Sequence, residues 1–362
     1  MSVTETAETA GTSETSGTPK MFEFTAEQDA LREVLREYFA ATATLDGHLR
    51  WRRLLTEVGA DDILLGGDES DSTATELSIL AEEAGAALSG AAVVSAAALA
   101  PLLDDGDWAS VAAPVRRGQH GVSAAISLTG FGEPGHWAAG TVQPLWDFDD
   151  DALVIVDDHV DGEPAIIAFA GASVGLQRLS GLDLSRSLGR ITRRDSPPLL
   201  VRAAAGDALK AIRRRTDLVI SAELLGVSQW ALDATVEYVA QRVQFGRTVG
   251  SFQAIKHRLA DLLAQVELAR SAVYGAAWQL EYRPSAAQTD VDLAVAAVLA
   301  REAAVDVTKA AVQLHGGIGI TWEHWAHRYL RRAHSVIALT GAPGLHRRRL
   351  AALVDARDGV DD

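Results

Sequence analysis

A glycine-rich turn near the C-terminus has residue types suited to binding phosphate. Gln313-Leu314-His315-Gly316-Gly317-Ile318-Gly319 follows a long helical pattern. Paired glycines after a helix can form a nest of backbone amides that binds pyrophosphate or ribose. An ordinary tight turn that ends a helix would use the same residues. This motif alone is therefore weak evidence for a phosphate site.

A second motif, Gln241-Arg242-Val243-Gln244-Phe245-Gly246-Arg247, is predicted at the end of an earlier helix. Arg242 beside a helix end could clamp a phosphate, while Gly246 lets the backbone come close to it. The alternative is a glycine C-cap with the aromatic side chain buried as a staple. Ser251 is predicted to cap the next helix, with the amide of Gln253 in its first turn.

The composition restricts partners and chemistry. Lys and Arg number 33 against 49 Asp and Glu, and the net charge of −16 disfavours nucleic acid and anionic membranes as partners. The absence of cysteine excludes disulfides and thiolate chemistry, and no metal site is predicted. We expect no signal peptide, since no basic n-region precedes an apolar core, and the apolar runs are too short to cross a bilayer. A cytoplasmic protein is predicted.

The elements that would position these motifs fall into three groups. Residues 21–117 show helical spacing, with a capping box at Thr25 and Gln28. Residues 118–204 contain short β-branched runs separated by Gly, Asp and Pro, which predict a small antiparallel β unit. Residues 205–354 show alternating 3–4 apolar spacing, typical of a helical bundle, with spare apolar surface that suggests oligomer contacts.

Both ends of the chain are predicted to be loose. Residues 1–20 are rich in Thr, Ser, Glu and Gly without a periodic apolar face, so a disordered tail is expected. Residues 355–362 read as a second, acidic tail.

Taken together, the motifs resemble the acyl-CoA dehydrogenase family, flavoenzymes that desaturate acyl-CoA thioesters between Cα and Cβ. The match is best over residues 205–350, where RVQFGRTVGSFQAIKHRLADLLAQVELAR and VQLHGGIGITWEH follow the family's C-terminal pattern. The resemblance implies an α+β fold of the acyl-CoA dehydrogenase type. Its parts are an N-terminal α-helical domain, a small middle β domain and a C-terminal four-helix bundle.

The resemblance also implies contacts with FAD. In the family, the matching residues reach across a dimer interface to the adenosine and pyrophosphate part of a FAD held mainly by the neighbouring subunit. Gln244 stands where the family often has Thr. The implied contact residues are Arg242, Gln244, Phe245, Gln253, Gln313, Gly316 and Gly317.

The chain departs from the family at the catalytic base. The glutamate that removes the α-proton corresponds to Thr340, and in members whose base lies on the first long bundle helix it corresponds to Thr216. A threonine hydroxyl cannot act as a general base near neutral pH, because its pKa is far too high. The family's Thr-Glu-Pro-x-x-Gly-Ser-Asp loop and Trp-x-Thr strand, which cover the flavin, are not recognisable. LTGFGEPGHW, beginning at Leu128, is at most a remnant.

These matches and departures suggest a non-catalytic subunit of a heteromeric (α2β2) acyl-CoA dehydrogenase, similar to two-gene enzymes of actinobacterial steroid and side-chain catabolism. A catalytic partner subunit would then supply the glutamate and most of the flavin site, and the substrate would be an acyl-CoA. Two alternatives stay open. One is a self-sufficient homomeric enzyme whose base is Glu223, Glu323 or Asp217; the other is a non-redox, acyl-CoA-binding scaffold.

Overall fold

The first helix begins at the predicted capping box. In the computed structural model, α1 (Ala26–Ala41) starts after Thr25, whose hydroxyl accepts a hydrogen bond from the amide of Gln28 at 3.2 Å. The side chain of Gln28 in turn accepts from the amide of Thr25. The pattern that predicted the start of this helix is confirmed. The structure describes residues 23–66, 72–126, 144–193 and 196–358.

Short helices make up the N-terminal helical unit. Their buried side chains include Trp51 and Trp108, which lie in the same apolar core as the C-terminal helices. Thr73 and Glu76 form a second capping box at the start of one of them. After α1, this unit contains α2 (Gly47–Glu57), α3 (Ala60–Leu65), α4 (Ala74–Ala86), α5 (Val93–Leu99) and α6 (Gly106–Arg116).

A mixed sheet follows. Its spatial order is β5-β6-β2-β1-β3-β4-β7. The prediction of an antiparallel unit is wrong at one pair, since β1 and β3 are parallel. The chain reverses from β1 into β2 and again from β2 into β3, so β3 has the direction of β1; because β3 lies directly beside β1, on the side away from β2, the two pair in parallel. The strands are β1 (Val122–Ala125), β2 (Leu145–Trp146), β3 (Leu153–Val160), β4 (Glu163–Ala170), β5 (Gly175–Leu179), β6 (Leu188–Arg193) and β7 (Leu200–Arg202).

The central strands bury both of their faces. Along β3, Leu153 and Ile155 join the large core shared with the helices, whereas Val154 and Val156 join a smaller cluster on the other face. Successive side chains of a strand point to opposite faces, so this split follows from the period of two. The continuous apolar run in the sequence is explained by this two-sided burial.

Long helices form the C-terminal bundle. They are joined by short connections, one of which contains the hairpin of β8 (Val243–Gln244) and β9 (Arg247–Thr248). The predicted α+β class with a helical C-terminal domain is confirmed. The helices are α7 (Gly206–Gln241), α8 (Gln253–Tyr282), α9 (Ala287–His315), α10 (Ala326–Thr340) and α11 (Pro343–Asp358).

Helices α4 and α7 approach each other closely. A Cβ added at Gly226 would lie 1.8 Å from the carbonyl oxygen of Glu82, and one at Gly85 would lie 2.1 Å from that of Glu223. Such distances exclude any side chain larger than hydrogen. The two glycines therefore fix backbone-to-backbone contact between the N-terminal unit and the bundle.

The C-terminal boundary differs from the prediction. Residues 355–358, expected in an acidic tail, continue α11. Ala356 and Arg357 are good helix formers, and no Gly or Pro precedes Gly359 in this segment, so the local sequence permits the extra turn. Within the residues that the structure describes, no helix is both long and apolar enough to cross a bilayer.

Candidate functional site

The two phosphate-type motifs lie at the same end of the bundle. Helices α7 and α9 both end there, since α8 runs back between them. The ring of Tyr238, near the end of α7, stacks on His315 at the end of α9, with centroids 4.1 Å apart. The Tyr238 hydroxyl also donates to the carbonyl oxygen of His315 at 3.5 Å. This contact fixes the end of one motif against the start of the other.

The first motif forms a hairpin that projects from the end of α7. Phe245 and Gly246 occupy its turn with φ of 52° and 80°, the positive values that a type I′ turn requires. The helix is capped by Arg242, not by Gly246. The Phe245 side chain is 92% exposed, so the alternative of a buried staple is wrong. The hairpin instead presents exposed Arg242 and Phe245 to solvent.

The start of α8 lies beside this hairpin. Its N-cap is Phe252, and the prediction that Ser251 caps the helix is wrong. The Ser251 hydroxyl donates to the carbonyl of Thr248 at 2.6 Å and so supports the short turn before the helix. Gln253 is the first residue of α8, is exposed, and its amide lies 2.9 Å from Nε2 of His257. The side-chain amide of Gln253 is therefore accessible to a ligand that binds beside the hairpin.

The glycine turn after α9 caps that helix and is also open to solvent. Gly316 has a φ of 65° and begins a 3₁₀ turn that runs to Ile320. A Cβ at Gly316 or Gly317 would meet no atom within 4 Å, and Gln313 is exposed. The predicted helix-ending turn is therefore present, and its backbone is accessible to a ligand as well.

An aromatic cluster packs against His315, the residue that precedes the glycine turn. His315 contacts His324 and Trp325, with ring centroids 4.8 and 4.9 Å apart. Burial lowers the pKa of both histidines, and the neighbouring His315 lowers that of His324 further. Both rings are therefore uncharged near neutral pH. They act as packing surfaces, and the positive charge at this end of the bundle comes from arginines and from Lys256 in the first turn of α8.

The two positions that the resemblance assigns to the family's base hold buried hydroxyls. Thr340, the last residue of α10, is fully buried; its hydroxyl donates to the carbonyl of Val336 and accepts from Nη2 of Arg301, both at 2.8 Å. Thr216 is also fully buried, and its hydroxyl donates to the carbonyl of Ile212 at 2.8 Å. Neither hydroxyl is exposed to a ligand.

The three alternative bases are placed differently. Asp217 is buried in an ion pair with Arg349. Glu223 is buried between Arg186 at 2.6 Å and Arg332 at 2.9 Å. Although burial opposes its ionisation, these two guanidinium groups hold the pKa of Glu223 below its usual range. Both carboxylates are thus ion-pair partners.

Glu323, the third, lies in the exposed loop between the glycine turn and α10. An exposed carboxylate of this kind is surrounded by water and does not meet the geometry of a base in an enclosed site.

The junction of the β unit with the bundle is filled by ion pairs. Fully buried Arg332 donates to Asp183 and Glu223, to the hydroxyl of Ser185 at 2.8 Å, and to the carbonyl of Ser89 at 3.1 Å. These partners come from the N-terminal unit, the β unit and the bundle. The sequence remnant beginning at Leu128 lies outside the described residues. Among the described residues, Asp183 and Glu223 are held in these ion pairs. A third carboxylate of the junction, Asp147, lies 3.6 Å from Arg186 and accepts a hydrogen bond from the amide of Ser95 at 3.0 Å. Burial raises the pKa of Asp147, and within the described part of the chain its Oδ1 has no hydrogen-bond partner.

Sequence reasoning missed several residues of this region. Tyr238 lies one helical turn before Arg242, and an aromatic residue at that spacing was the available signal. Arg247 stacks over the Phe252 ring at 3.9 Å and stiffens the hairpin. Arg301 lies among apolar residues on the buried side of α9, and the apolar spacing around it was the available signal.

Comparisons with known proteins point to one family. Residues 213–354 match the family model described as acyl-CoA dehydrogenase, C-terminal domain. FadE34 of Mycobacterium tuberculosis, named an acyl-CoA dehydrogenase, is 37% identical over 209 residues, which are 56% of this chain and 28% of FadE34. IpdE2 of the same species, also named an acyl-CoA dehydrogenase, is 36% identical over 212 residues, which are 56% of this chain and 62% of IpdE2. The alignments thus span less than two thirds of these relatives.

A solved structure of the ChsE4–ChsE5 complex from Mycobacterium tuberculosis is similar over nearly the whole chain. The TM-score is 0.72 at 26% identity, and the alignment covers 92% of this chain and 98% of the other. The family model matches residues 213–354, whereas the similarity in fold extends over 92% of this chain.

Proposed function

Because the chain belongs to the acyl-CoA dehydrogenase family, we propose that it is a subunit of a heteromeric, FAD-dependent acyl-CoA dehydrogenase and does not itself supply the catalytic base. When bound, FAD accepts the β-hydrogen of the acyl group as hydride. The partner subunit would provide the glutamate and most of the flavin site. This chain would bind the adenosine and pyrophosphate half of the cofactor across the interface.

The observation that carries the proposal is the burial and hydrogen bonding of Thr340. A base must reach the α-carbon of the substrate, yet Thr340 is fully buried and hydrogen-bonded to Arg301 and to its own helix. Loss of a general base costs about 10²- to 10⁴-fold in rate. The alternative bases do not compensate, because Asp217 and Glu223 are held in buried ion pairs.

The end of the bundle fits the dinucleotide half of FAD. Arg242 and Gln253 are exposed on one side of this surface and Gln313 on the other. The backbone at Gly316 and Gly317 is free of overlying atoms. Exposed amides and a guanidinium around an accessible glycine turn are the groups that bind pyrophosphate. Gln244 and Phe245 in the hairpin complete the set of proposed contacts.

An apolar groove adjoins this surface and supports the presence of a partner. It has a volume of about 690 Å³ between α7 and α8, and Thr248 and Ser251 of the hairpin segment line one end. Val236 and Leu263 in its lining are 43% and 49% exposed. A groove of this kind next to a shared cofactor surface is suited to the interface of an oligomer.

The test is the flavin content of a co-expressed complex. The chain is expressed with an acyl-CoA dehydrogenase subunit that has an intact glutamate and flavin loop, and FAD per complex is measured after dilution. Arg242→Ala should weaken FAD retention by about 10- to 100-fold, the loss expected for a charge-assisted hydrogen bond. Arg117→Ala, an exposed arginine of the N-terminal unit, serves as the control and should change nothing.

The alternatives predict different results. A self-sufficient enzyme, purified alone, would carry one FAD per chain and bleach with an acyl-CoA, and that result would overturn the proposal. A non-redox scaffold would show no change in flavin content with Arg242→Ala.

A further inference from the structure

Arg301 is a buried cation in the middle of an apolar helix. It is fully buried in the run AVAAVLAREAAV of α9. Its Nη1 donates to the carbonyl of Ala297 at 3.0 Å, and its Nη2 donates to the hydroxyl of Thr340 at 2.8 Å. Among the described residues its Nε has no hydrogen-bond partner. A buried guanidinium with so few partners is unfavourable, so its presence requires an explanation.

The charged groups around Arg301 leave an excess of positive charge. Asp217 on α7 attracts it electrostatically, but Asp217 is already paired with Arg349 on α11. His346 on α11 has Nε2 2.9 Å from the carbonyl of Thr340. Burial, followed by the charge of Arg301, lowers the pKa of His346 to about 4, so its ring is neutral near pH 7. Asp290 also attracts Arg349, but Asp290 is itself paired with Arg214 and Lys210. Among the described residues, Arg301 therefore shares Asp217 with Arg349 and has no ion-pair partner of its own.

Desolvation lowers the pKa of Arg301 to about 10, which still leaves it protonated at neutral pH. The hydroxyl of Thr340 is the side-chain group that it contacts directly. A charged donor thus points at the residue position that carries the base in the family.

We propose that Arg301, and not the identity of residue 340 alone, fixes this chain as a subunit without a base. A carboxylate introduced at residue 340 would be held by Arg301 in a buried ion pair and could not accept a proton from a substrate. A paired carboxylate has a depressed pKa, whereas a general base needs one near the working pH. This inference rests on the proposed function, because it explains how the chain is kept non-catalytic.

The test is the pH dependence of stability in the full-length chain. Four variants are compared: Thr340→Glu, its neutral reference Thr340→Gln, and each of these combined with Arg301→Met. Pairing keeps the folded pKa of the new carboxylate below its unfolded value of about 4.3. Above that value its stabilising effect is complete, so Thr340→Glu should track Thr340→Gln between about pH 5.5 and about pH 8.

Without the guanidinium of Arg301, the pKa shift of the introduced carboxylate changes sign. A buried, unpaired carboxylate has a folded pKa above about 4.3, so the folded state binds the proton longer and stability falls as pH rises. The thermal midpoint of the double variant should therefore drop by about 5 °C over the same interval relative to Thr340→Gln with Arg301→Met. Thr308→Glu is the matched control: Thr308 is fully buried on α9, and its hydroxyl donates to the carbonyl of Ala304. It should behave like the double variant.

Two results would overturn the proposal. One is a loss of stability with rising pH in Thr340→Glu itself, as in the Thr308→Glu control. The other is a double variant that shows no more pH dependence than Thr340→Glu, which would assign the pairing to another cation such as Arg349. These measurements need neither partner nor flavin. Failure of the proposed function would appear separately, in the flavin content of the co-expressed complex.

Discussion

Single residues decide what this chain can do chemically. Threonine at residues 216 and 340 could be read directly from the sequence, and with it the lack of a carboxylate there. The contact between Thr340 and Arg301 could not, because it joins α9 and α10 across 39 positions of the chain. Local patterns predicted the cap at Thr25 correctly and the cap at Ser251 wrongly. The hydroxyl of Ser251 donates to the carbonyl of Thr248, which precedes it in the chain, and so does not cap the helix that follows.

His346 should make stability depend on pH. Its folded pKa of about 4 lies below the ordinary value of 6.5, chiefly because of burial. Between these values the unfolded chain binds the proton and the folded chain does not, so stability is complete above about pH 6.5 and falls as pH drops toward 4. His346→Gln should remove up to about 3 kcal/mol of this dependence, measured by urea unfolding across that interval.

His48→Gln is the control for this variant, since His48 is about half exposed and its Nδ1 lies 2.9 Å from Asp149. An unchanged slope in His346→Gln would show that another group causes the acid sensitivity.

At the scale of elements, strong periodic patterns were predictable and short polar ones were not. Both β3 and β4 coincide with apolar runs that are clear in the sequence. By contrast, β5 (GLQRL) and β7 (LVR) are short, have few buried side chains and were not predicted. The parallel pairing of β1 with β3 arises because β1 lies between β2 and β3 in the sheet, and no local pattern encodes that order.

The contact of α4 with α7 should be intolerant of any side chain at Gly226. The added methyl of Gly226→Ala would meet the backbone of α4, which cannot move without separating the helices. We expect a loss of about 2–3 kcal/mol in the free energy of unfolding, measured by denaturant titration. Gly206→Ala, at the first residue of α7 with no atom within 4 Å, should be neutral or slightly stabilising. Equal stability of both variants would contradict the packing described.

For the whole molecule, the order of helical unit, sheet and bundle could be predicted, but the way the three are joined could not. Composition and periodicity mark each unit separately. The junction depends on Arg332, whose partners lie in all three units and far apart in the chain. Nothing in the sequence distinguishes Arg332 from its neighbour Arg331, because burial separates them only after folding.

Arg332→Met should weaken the association of the three units. It would leave Asp183 and Glu223 buried without a counter-charge at one of their contacts, a loss of about 3–5 kcal/mol. We expect a lower thermal midpoint and faster proteolysis between the β unit and the bundle. Arg328→Met, exposed on the same helix, provides the comparison and should unfold like the unmodified chain. A cleavage pattern identical in both variants would show that Arg332 does not couple the units.

The hairpin tip at Phe245 and Gly246 has a consequence for association. Its turn geometry and the edge contact of the Phe245 ring with Phe252, with centroids 6.3 Å apart, already place the Phe245 ring outward. A surface that covers this ring meets a backbone that is preorganised, so little conformational entropy is lost in fixing it. A partner that covers the Phe245 ring should therefore gain affinity from nearly rigid docking of one aromatic side chain.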